Sequence, residues 1–361
     1  MLERTWKKII HNKRFSLWSI PAFFLWLASF GYRGLFLLKR SRSTETVRLK
    51  VPVIAVGNLS VGGSGKTPMV GCIAADLIDE GYAVGIVSSG YKRKSSEAFV
   101  EPGYHLIQRK AEETGDEVML LAVNLPEAVF SVDDSKTVAA RRLAEIADVD
   151  VIIVDDAYQH FTLERDLNIV TYDAGVKKRE LKLFPRGILR EPLSALQRSD
   201  IIIITRSNFA KDLHKLINRL QRFNPKADIY HAAFSADEII GRELRRSVKY
   251  LEDKSVFLFA GIGNFRALER QVGALAADVD YAMELSDHQE YDKELLEEIK
   301  KNADEHESDL ILTTAKDWVK LGDFDFGREI YYLNLRVDLD PGEEKLIQSI
   351  EDWLGLQKQE E

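Results

Sequence analysis

The sequence predicts an α/β fold with a doubly wound parallel sheet, a second, smaller α/β domain and an N-terminal membrane-associated helical segment. Three observations lead to this prediction. Apolar runs typical of buried parallel strands alternate with runs of helical spacing. A glycine-rich loop at residues 57–68 joins the first strand to the next helix, and an uncharged, aromatic-rich stretch at residues 15–32 precedes both.

The glycine-rich loop has the residues that a nucleotide triphosphate site needs. Its glycines lack a Cβ, so backbone N–H groups can turn toward phosphate oxygens. Lys66 would neutralise the β- and γ-phosphates, Thr67 would offer its hydroxyl to Mg²⁺, and Pro68 suits a first helical turn. The first domain is therefore P-loop NTPase-like, and its predicted ATP-binding residues are Ser60, Val61, Gly62, Gly63, Ser64, Gly65, Lys66, Thr67 and Pro68. Ser60 stands where the usual pattern has glycine, and the alternative is a simple strand-to-helix turn.

Two acidic residues, Asp155 and Asp156, follow the apolar strand at residues 149–154. In parallel α/β sheets, ligands bind beyond the carboxyl ends of the strands, where the glycine-rich loop also lies. A carboxylate there holds Mg²⁺ directly or through water. The pair is therefore predicted to be the metal partner of the loop, and the alternative is a solvated loop start.

Composition limits the class of protein. With 361 residues and 45% hydrophobic content, the chain is long enough for two packed domains. Its lone cysteine, Cys72, excludes an internal disulfide and fits a reducing cytosol. The net charge is -8, yet residues 1–50 carry eleven Lys and Arg against two acids, which indicates an anionic partner at that end.

Aromatic residues identify that anionic partner. Trp and Tyr in the uncharged stretch favour the headgroup level of a bilayer, and the flanking Lys and Arg can pair with anionic lipids. We therefore predict that residues 1–45 associate with an anionic membrane surface and that the chain has no nucleic-acid partner. Lysine and arginine are nearly equal on the two sides of the stretch, so an interfacial anchor is favoured over a spanning helix. The remaining alternative is a buried helix pair.

The rest of the chain divides into a P-loop domain at 46–240, a smaller α/β domain at 241–340 and a C-terminal helix at 341–361. The junction is placed within Ser235 to Asp253, which is charged and lacks periodicity. Strands are predicted at 53–56, 83–88, 149–154, 167–172, 200–205, 255–260, 281–285, 309–314 and 330–337. Helices are predicted at 118–123, 135–147, 212–223, 265–276, 293–306 and 343–354, besides the helix that follows the loop.

Several motifs together resemble the tetraacyldisaccharide 4'-kinase family, the lipid A 4'-kinases of Gram-negative bacteria. The resemblance covers nearly the whole chain. Its motifs are the glycine-rich loop, Gly90-Tyr91, Gly115-Asp116-Glu117, residues 155–160, 165–168, 189–192 and 260–264, Asp287-His288, and residues 313–317.

The resemblance implies transfer of the ATP γ-phosphate to the 4'-hydroxyl of a tetraacylated glucosamine disaccharide 1-phosphate. It places the protein at the cytoplasmic face of the bacterial inner membrane, as a peripheral or monotopic enzyme. It implies Asp116 as the base, His288 as its support, and Lys66 as a third catalytic residue. It assigns Thr67, Asp155, Asp156 and Glu191 to the metal, and Gln159, His160, Arg190 and Asp287 to the substrate or phosphate surroundings.

Two positions depart from the family pattern. Ser89 and Lys136 stand where the family tends to carry arginine, and lysine lacks the planar fork of arginine. At the first position, Lys92, Arg93 or Lys94 could substitute. The alternative from another functional class is a membrane-surface P-loop ATPase switch that attaches through the N-terminal segment and needs no lipid acceptor.

Overall fold

The structure, a computed structural model, describes residues 5–6, 9–10, 18–42, 46–263, 265–275 and 277–355. Parts of the predicted 1–45 segment and of the predicted 341–361 helix lie outside the described residues. Within the described part, thirteen strands form one sheet. The strands are β1 Val53–Asn58, β2 Val84–Ser88, β3 Phe99–Pro102, β4 Val129–Val132, β5 Val151–Asp155, β6 Leu167–Asp173, β7 Ile201–Thr205, β8 Asp228–Ile240, β9 Arg245–Ser247, β10 Ser255–Ala260, β11 Asp278–Glu284, β12 Leu310–Thr314 and β13 Ile330–Asp340.

The helices of the described residues lie between these strands and at both ends of the chain. They are α1 Ser19–Arg42, α2 Lys66–Asp79, α3 Gly103–Leu106, α4 Ala111–Thr114, α5 Asp116–Asn124, α6 Lys136–Ile146, α7 Leu213–Gln221, α8 Phe265–Gly273, α9 Lys293–Glu305, α10 Ala315–Trp318 and α11 Glu343–Leu354.

The predicted α/β, doubly wound fold is confirmed. The strand order is β11-β10-β12-β13-β8-β7-β6-β1-β5-β2-β4-β3, with β9 paired to β8. Most pairs are parallel, and three antiparallel pairs that the sequence did not predict join β3 to β4, β8 to β9 and β8 to β13. The short strands β3 and β4 were missed because each has only four residues.

The alternation of side chains along β1 explains why helices cover both faces of the sheet. Ile54 and Val56 pack in one core with the apolar side of α2. Val53 and Ala55 point to the opposite face and pack with Ala139 and its neighbours on α6. The phosphate-loop helix α2 and helix α6 therefore lie on opposite faces of the central strand.

The region where the domain junction is predicted, Ser235 to Asp253, contains regular structure that the sequence pattern did not reveal. Strand β8 continues to Ile240, paired parallel with β7 at its start and antiparallel with β13 over the rest. A single sheet thus runs from the first α/β unit into the second. The sequence signal failed because β8 carries charged residues and is only partly buried along most of its length, so it lacks an apolar run.

The last helix, α11, packs on the first unit. Leu346, Ile347 and Ile350 belong to the same core as α2. Tyr82 donates a hydrogen bond of 2.9 Å to the buried carboxylate of Glu351. The second unit is therefore attached to the first through β8 where the chain enters it and through β13 and α11 where the chain leaves it.

Helix α1 presents most of its apolar side chains to solvent. Ser29 contacts the loop at Leu183, and Phe36 packs edge-on against Phe161, which fixes the helix on the first unit. The outward side chains include Ile20, Phe23, Phe24, Trp26, Phe30, Leu35, Leu37 and Leu38. Residues Ser19–Ser41 are long and apolar enough to cross a membrane by length and composition alone.

Candidate active site

The glycine-rich loop leads from β1 into α2 in a conformation that needs glycine. Gly62 has φ 100° and Gly65 has φ 76°, a region that residues with a Cβ rarely adopt. A Cβ on Gly65 would also lie 2.8 Å from the ring of Phe234 on β8. The loop can therefore keep this shape only with glycine at these positions, and its N–H groups stand at the positive end of α2.

The rest of the loop is held from three sides. Asn58 donates to the hydroxyl of Ser64 at 2.7 Å. Thr205, at the end of β7, donates to the Ser64 carbonyl at 2.8 Å, and Arg206 donates to the Gly63 carbonyl at 2.6 Å. The loop is preorganised by neighbouring strands, so little reordering is needed when it binds an anion.

The acid pair lies beside the loop because β1 and β5 are adjacent parallel strands. Lys66 Nζ is 3.4 Å from Asp156 Oδ1, and Arg190 donates to both oxygens of Asp156 at 3.1 and 3.0 Å. Burial alone would raise the pKa of Asp156, but the charges of Lys66, Arg190 and Lys136 outweigh it and lower this pKa well below its usual range. Asp156 is therefore an anion that orients two cations at the phosphate loop.

Asp155 differs from its neighbour. Its side chain is 2% exposed, and Oδ1 has no hydrogen-bond donor among the described residues. Burial raises the pKa of this carboxyl. A buried oxygen without a donor is what a metal ligand looks like before its cation binds, and Mg²⁺ in such sites takes one or two carboxylates besides phosphates and waters. Asp155 therefore fits Mg²⁺, and the Thr67 hydroxyl stays a predicted ligand.

The two α/β units meet at Asp116 and His288. His288 Nδ1 is 3.2 Å from Asp116 Oδ2, and the His288 ring lies edge-on to Tyr91 at 5.4 Å between centroids. Asp116 begins α5 directly after Gly115, which packs against Gly90 beyond the end of β2. His288 follows β11, and its N–H donates to the carbonyl of Gly261, the residue directly after β10. Both side chains thus lie at carboxyl ends of parallel strands, as ligand sites in such sheets do.

One hydrogen-bonded network next to the start of the loop contains Gln159, Arg190 and Glu191. Glu191 is buried, and Arg198 donates to its two oxygens at 2.8 Å each. Gln159 donates to the Asn58 carbonyl at 2.8 Å and to Glu191 at 3.1 Å. Here Glu191 is already paired with Arg198, so its contact with a metal stays a prediction.

His160 and Asp287 have separate sets of contacts. His160 Nε2 contacts the hydroxyls of Thr137 and Thr162 at 2.9 and 3.2 Å, and burial lowers its pKa to about 4. It is therefore neutral at pH 7 and suits a hydrogen-bonding role. Asp287, in the second unit, pairs with Lys316 at 2.9 Å.

The two departures from the family pattern have different surroundings. Lys136 is buried and donates to the carbonyls of Asp155 and Asp156 at 2.6 and 2.8 Å. Near Ser89, Arg93 pairs with Asp134 at 2.9 Å, and Lys94 pairs with Glu112 and Glu290 at 3.1 and 3.2 Å. Arg93 and Lys94 are thus both paired with carboxylates.

Sequence reasoning missed three cations that hold this site. They are Arg198 on Glu191, Arg206 on the loop carbonyl, and Lys320, whose Nζ is 3.4 Å from Asp116 Oδ2. Arg206 is the first residue after an apolar strand, which could have suggested it. Arg198 and Lys320 come close to their carboxylates only in the folded chain, and no local pattern in the sequence reveals these contacts.

A preformed phosphate loop with its lysine and hydroxyl, beside an acid pair at the end of the adjacent strand, defines a nucleotide-binding protein of the P-loop class. The LpxK family model, tetraacyldisaccharide-1-P 4'-kinase, matches residues 21–354. The chain belongs to the tetraacyldisaccharide 4'-kinase family.

Individual relatives agree with the family model. A protein of Halothermothrix orenii named tetraacyldisaccharide 4'-kinase is 30% identical over 85% of this chain and 86% of its own. One of Geobacter sulfurreducens with the same name is 34% identical over 79% of each chain. The crystal structure of LpxK from Aquifex aeolicus in complex with ATP matches with a TM-score of 0.70 and 29% identity, covering 90% of this chain and 97% of that one.

Proposed function

We propose that the protein is an ATP-dependent kinase that phosphorylates the 4'-hydroxyl of a tetraacylated glucosamine disaccharide 1-phosphate in lipid A biosynthesis. The observation that carries the proposal is the Asp116–His288 pair, which two α/β units form at the edge where the phosphate loop lies. A phosphate loop alone would serve any nucleotide hydrolase. The carboxylate of Asp116, which His288 of the second unit contacts, can act as the base that accepts the proton of an alcohol substrate.

In the proposed reaction, the oxygen of the acceptor hydroxyl bonds to the γ-phosphorus while Asp116 takes the proton of that hydroxyl. The bond from that phosphorus to the β–γ bridging oxygen breaks, and ADP leaves with the electron pair. Lys66 and the loop N–H groups bind the phosphate oxygens and stabilise the charge that moves onto ADP. Asp155 and Thr67 would hold Mg²⁺, which would supply further neutralisation of the phosphate charge.

The remaining site residues position these groups. Asp156 fixes Lys66 and Arg190, and Arg190 also donates to Gln159 at 3.3 Å, so this network orients the side of the site that faces the phosphates. His288 orients Asp116 from the second unit. We assign Glu191 to the metal surroundings through this network, and His160 and Asp287 to the acceptor side. The division into a 46–240 kinase domain and a 241–340 smaller domain fits a site between the two units.

The N-terminal helix suits a lipid acceptor. Its outward apolar side chains are flanked by basic residues, and a substrate with four acyl chains does not leave a bilayer readily. We propose that α1 lies on the anionic cytoplasmic face of the inner membrane and brings the site to the lipid. The chain would then be peripheral or monotopic.

The proposal is tested with γ-labelled ATP, Mg²⁺ and the disaccharide 1-phosphate lipid in detergent micelles. The purified full chain should place label in the lipid fraction, and Lys66→Ala should not, because it lacks the phosphate-binding ammonium. An unlabelled lipid fraction, with protein that still binds ATP, would refute the kinase proposal. The rival ATPase switch is not favoured, because the family and the relatives reported above are named as kinases.

A further inference from the structure

The carboxylate of Asp116 has a cationic partner, Lys320, besides its contact with His288. Lys320 Nζ is 3.4 Å from Asp116 Oδ2, the same oxygen that His288 contacts at 3.2 Å. The side chains of Lys320 and Asp116 are only 9% and 16% exposed. Two groups of the second unit therefore converge on one oxygen of the first unit, in a place largely shielded from water.

The second unit holds the Lys320 ammonium firmly. Nζ lies 3.3 Å from Oδ1 of the fully buried Asp317 and donates to the Gln289 carbonyl at 3.1 Å. Together with Asp116, these acceptors surround the three N–H bonds of the ammonium. The ring of Tyr291 lies 5.0 Å below the charge, a cation–π distance.

Asp317, in turn, is fixed by its own donors. Its Oδ2 accepts from the N–H of Gly261 at 3.0 Å and from the hydroxyl of Thr314 at 2.7 Å. Gly261 directly follows β10, and its carbonyl accepts a hydrogen bond from the His288 N–H. Gly261 therefore helps to hold both residues, His288 directly and Lys320 through Asp317.

We propose that Lys320 is a positioning residue for the base, holding Asp116 ionised and oriented from the second unit. The inference rests on the proposed function, in which Asp116 accepts the proton of the acceptor hydroxyl. Among the described residues, the contacts to the Asp116 side chain all fall on Oδ2. Oδ1 is then the oxygen that faces the acceptor, and the carboxylate cannot rotate without breaking two contacts.

The electrostatics agree with this geometry. Burial alone would raise the pKa of Asp116, but the hydrogen bond from His288 and the charge of Lys320 outweigh it and hold this pKa below its usual range. The ionisable groups that face Asp116 from the second unit are His288, Lys320, Lys316 and Tyr291. Lys316 is already paired with Asp287, which leaves Lys320 as the lysine in contact with the base.

The test compares Lys320→Gln with Lys320→Arg in the full chain, by kcat and by the dependence of kcat/KM on pH. Lys320→Gln should lower kcat at pH 7 by about 10- to 100-fold, since the base is misplaced, and should move the acid limb of kcat/KM to higher pH. Lys320→Arg keeps the charge and should leave that limb at its wild-type position. Lys300→Gln, which removes a lysine that contacts the Asp325 carbonyl instead, should match the wild type in both readouts.

Loss of Lys320 alone leaves the buried Asp317 without its cation, which can prevent folding. The variant Lys320→Gln with Asp317→Asn removes both charges and keeps acceptors for Gly261 and Thr314, so it serves if the single variant does not fold. If the acid limb of kcat/KM stays at the wild-type position in the variant that folds, the inference is overturned, whatever the rate of that variant. If the wild type itself does not label the lipid, the proposed function fails; if it does and the limb is unmoved, only the role of Lys320 fails.

Discussion

At the scale of single residues, the site depends on the charge of Asp156, which the backbone holds in a conformation with positive φ. Asp156 has φ 47°, a left-handed conformation that Asp and Asn tolerate better than other residues with a side chain. Asp156→Asn therefore removes the charge with little added strain. Turnover should fall by at least about 100-fold, because Lys66 and Arg190 lose the anion that orients them.

This prediction is checked by steady-state kinetics together with circular-dichroism melting. The fold should survive, with the melting temperature within a few degrees of the wild type. Near-normal turnover would mean that the acid pair only begins a loop.

The base and its histidine should act as one unit. Asp116→Ala should lower kcat by about 10²- to 10⁴-fold with ATP affinity little changed, since general-base loss typically costs that much. His288→Ala should lose less by itself. The double variant should be scarcely slower than Asp116→Ala, because residues that act together are not additive. Multiplicative losses across this cycle would show that the 3.2 Å contact is not functional.

At the scale of elements, α1 gives a sharper membrane test than truncation does. Ile20, Phe24 and Leu35 are 70%, 63% and 70% exposed, so their replacement by Ser leaves the docking contacts of Ser29 and Phe36 in place. Each apolar side chain that enters a bilayer contributes about 1.5–3 kcal/mol. The triple variant should float with anionic liposomes at least about tenfold less than the wild type, with ATP binding intact.

The matched control replaces two apolar residues on other surfaces. Leu244 and Trp353 are 49% and 48% exposed, and their double replacement by Ser should leave liposome flotation unchanged. Equal loss of flotation in the control and the α1 variant would contradict the anchoring role of α1.

A second element-scale prediction concerns α2 and α11. Burial, followed by the nearby charge of Glu343, raises the pKa of Asp76 to about 6. The folded chain thus keeps this proton at a pH where the unfolded chain has lost it, so the free energy of unfolding should fall as pH rises from 4 to 6. Asp76→Asn should remove the contribution of Asp76 to this decline, while the buried Asp155 still contributes to it. Discounted for the partial exposure of Asp76, the gain in stability at pH 7 should be about 1 kcal/mol. Urea melts at several pH values measure it, with the exposed Asp79→Asn as control; an unchanged pH dependence in Asp76→Asn would contradict the prediction.

A continuous apolar run predicted β10 and helical apolar spacing predicted α11, both at their observed bounds, because β10 is buried on both faces and α11 on one. It could not predict β8, whose charged residues and partial burial hide the strand. The phosphate loop and the acid pair were visible because each is local in sequence. Asp116 and His288 are 172 residues apart, and only the family resemblance joined them before the structure did. Lys320 has no such marker, since its role comes from the approach of α10 to α5.

At the scale of the whole molecule, one sheet joins two units that each supply part of the site. The chain enters the second unit through β8 and returns through β13 and α11, so this unit is tethered to the first at both ends. Binding of substrates between the units would exclude water and limit idle hydrolysis. A kinase of this design should spend ATP only when an acceptor is present.

The most direct test of the central claim measures ADP release and lipid phosphate together, on liposomes with and without the disaccharide 1-phosphate lipid. Liposomes without the acceptor lipid should give little ADP, and adding the acceptor should raise ADP release at least about 100-fold, with one lipid phosphate formed for each ADP. Mass spectrometry should locate the new phosphate on the 4'-oxygen. ADP release that is equally fast on liposomes without the acceptor, with no lipid phosphate, would contradict the kinase account and favour a membrane-surface ATPase switch.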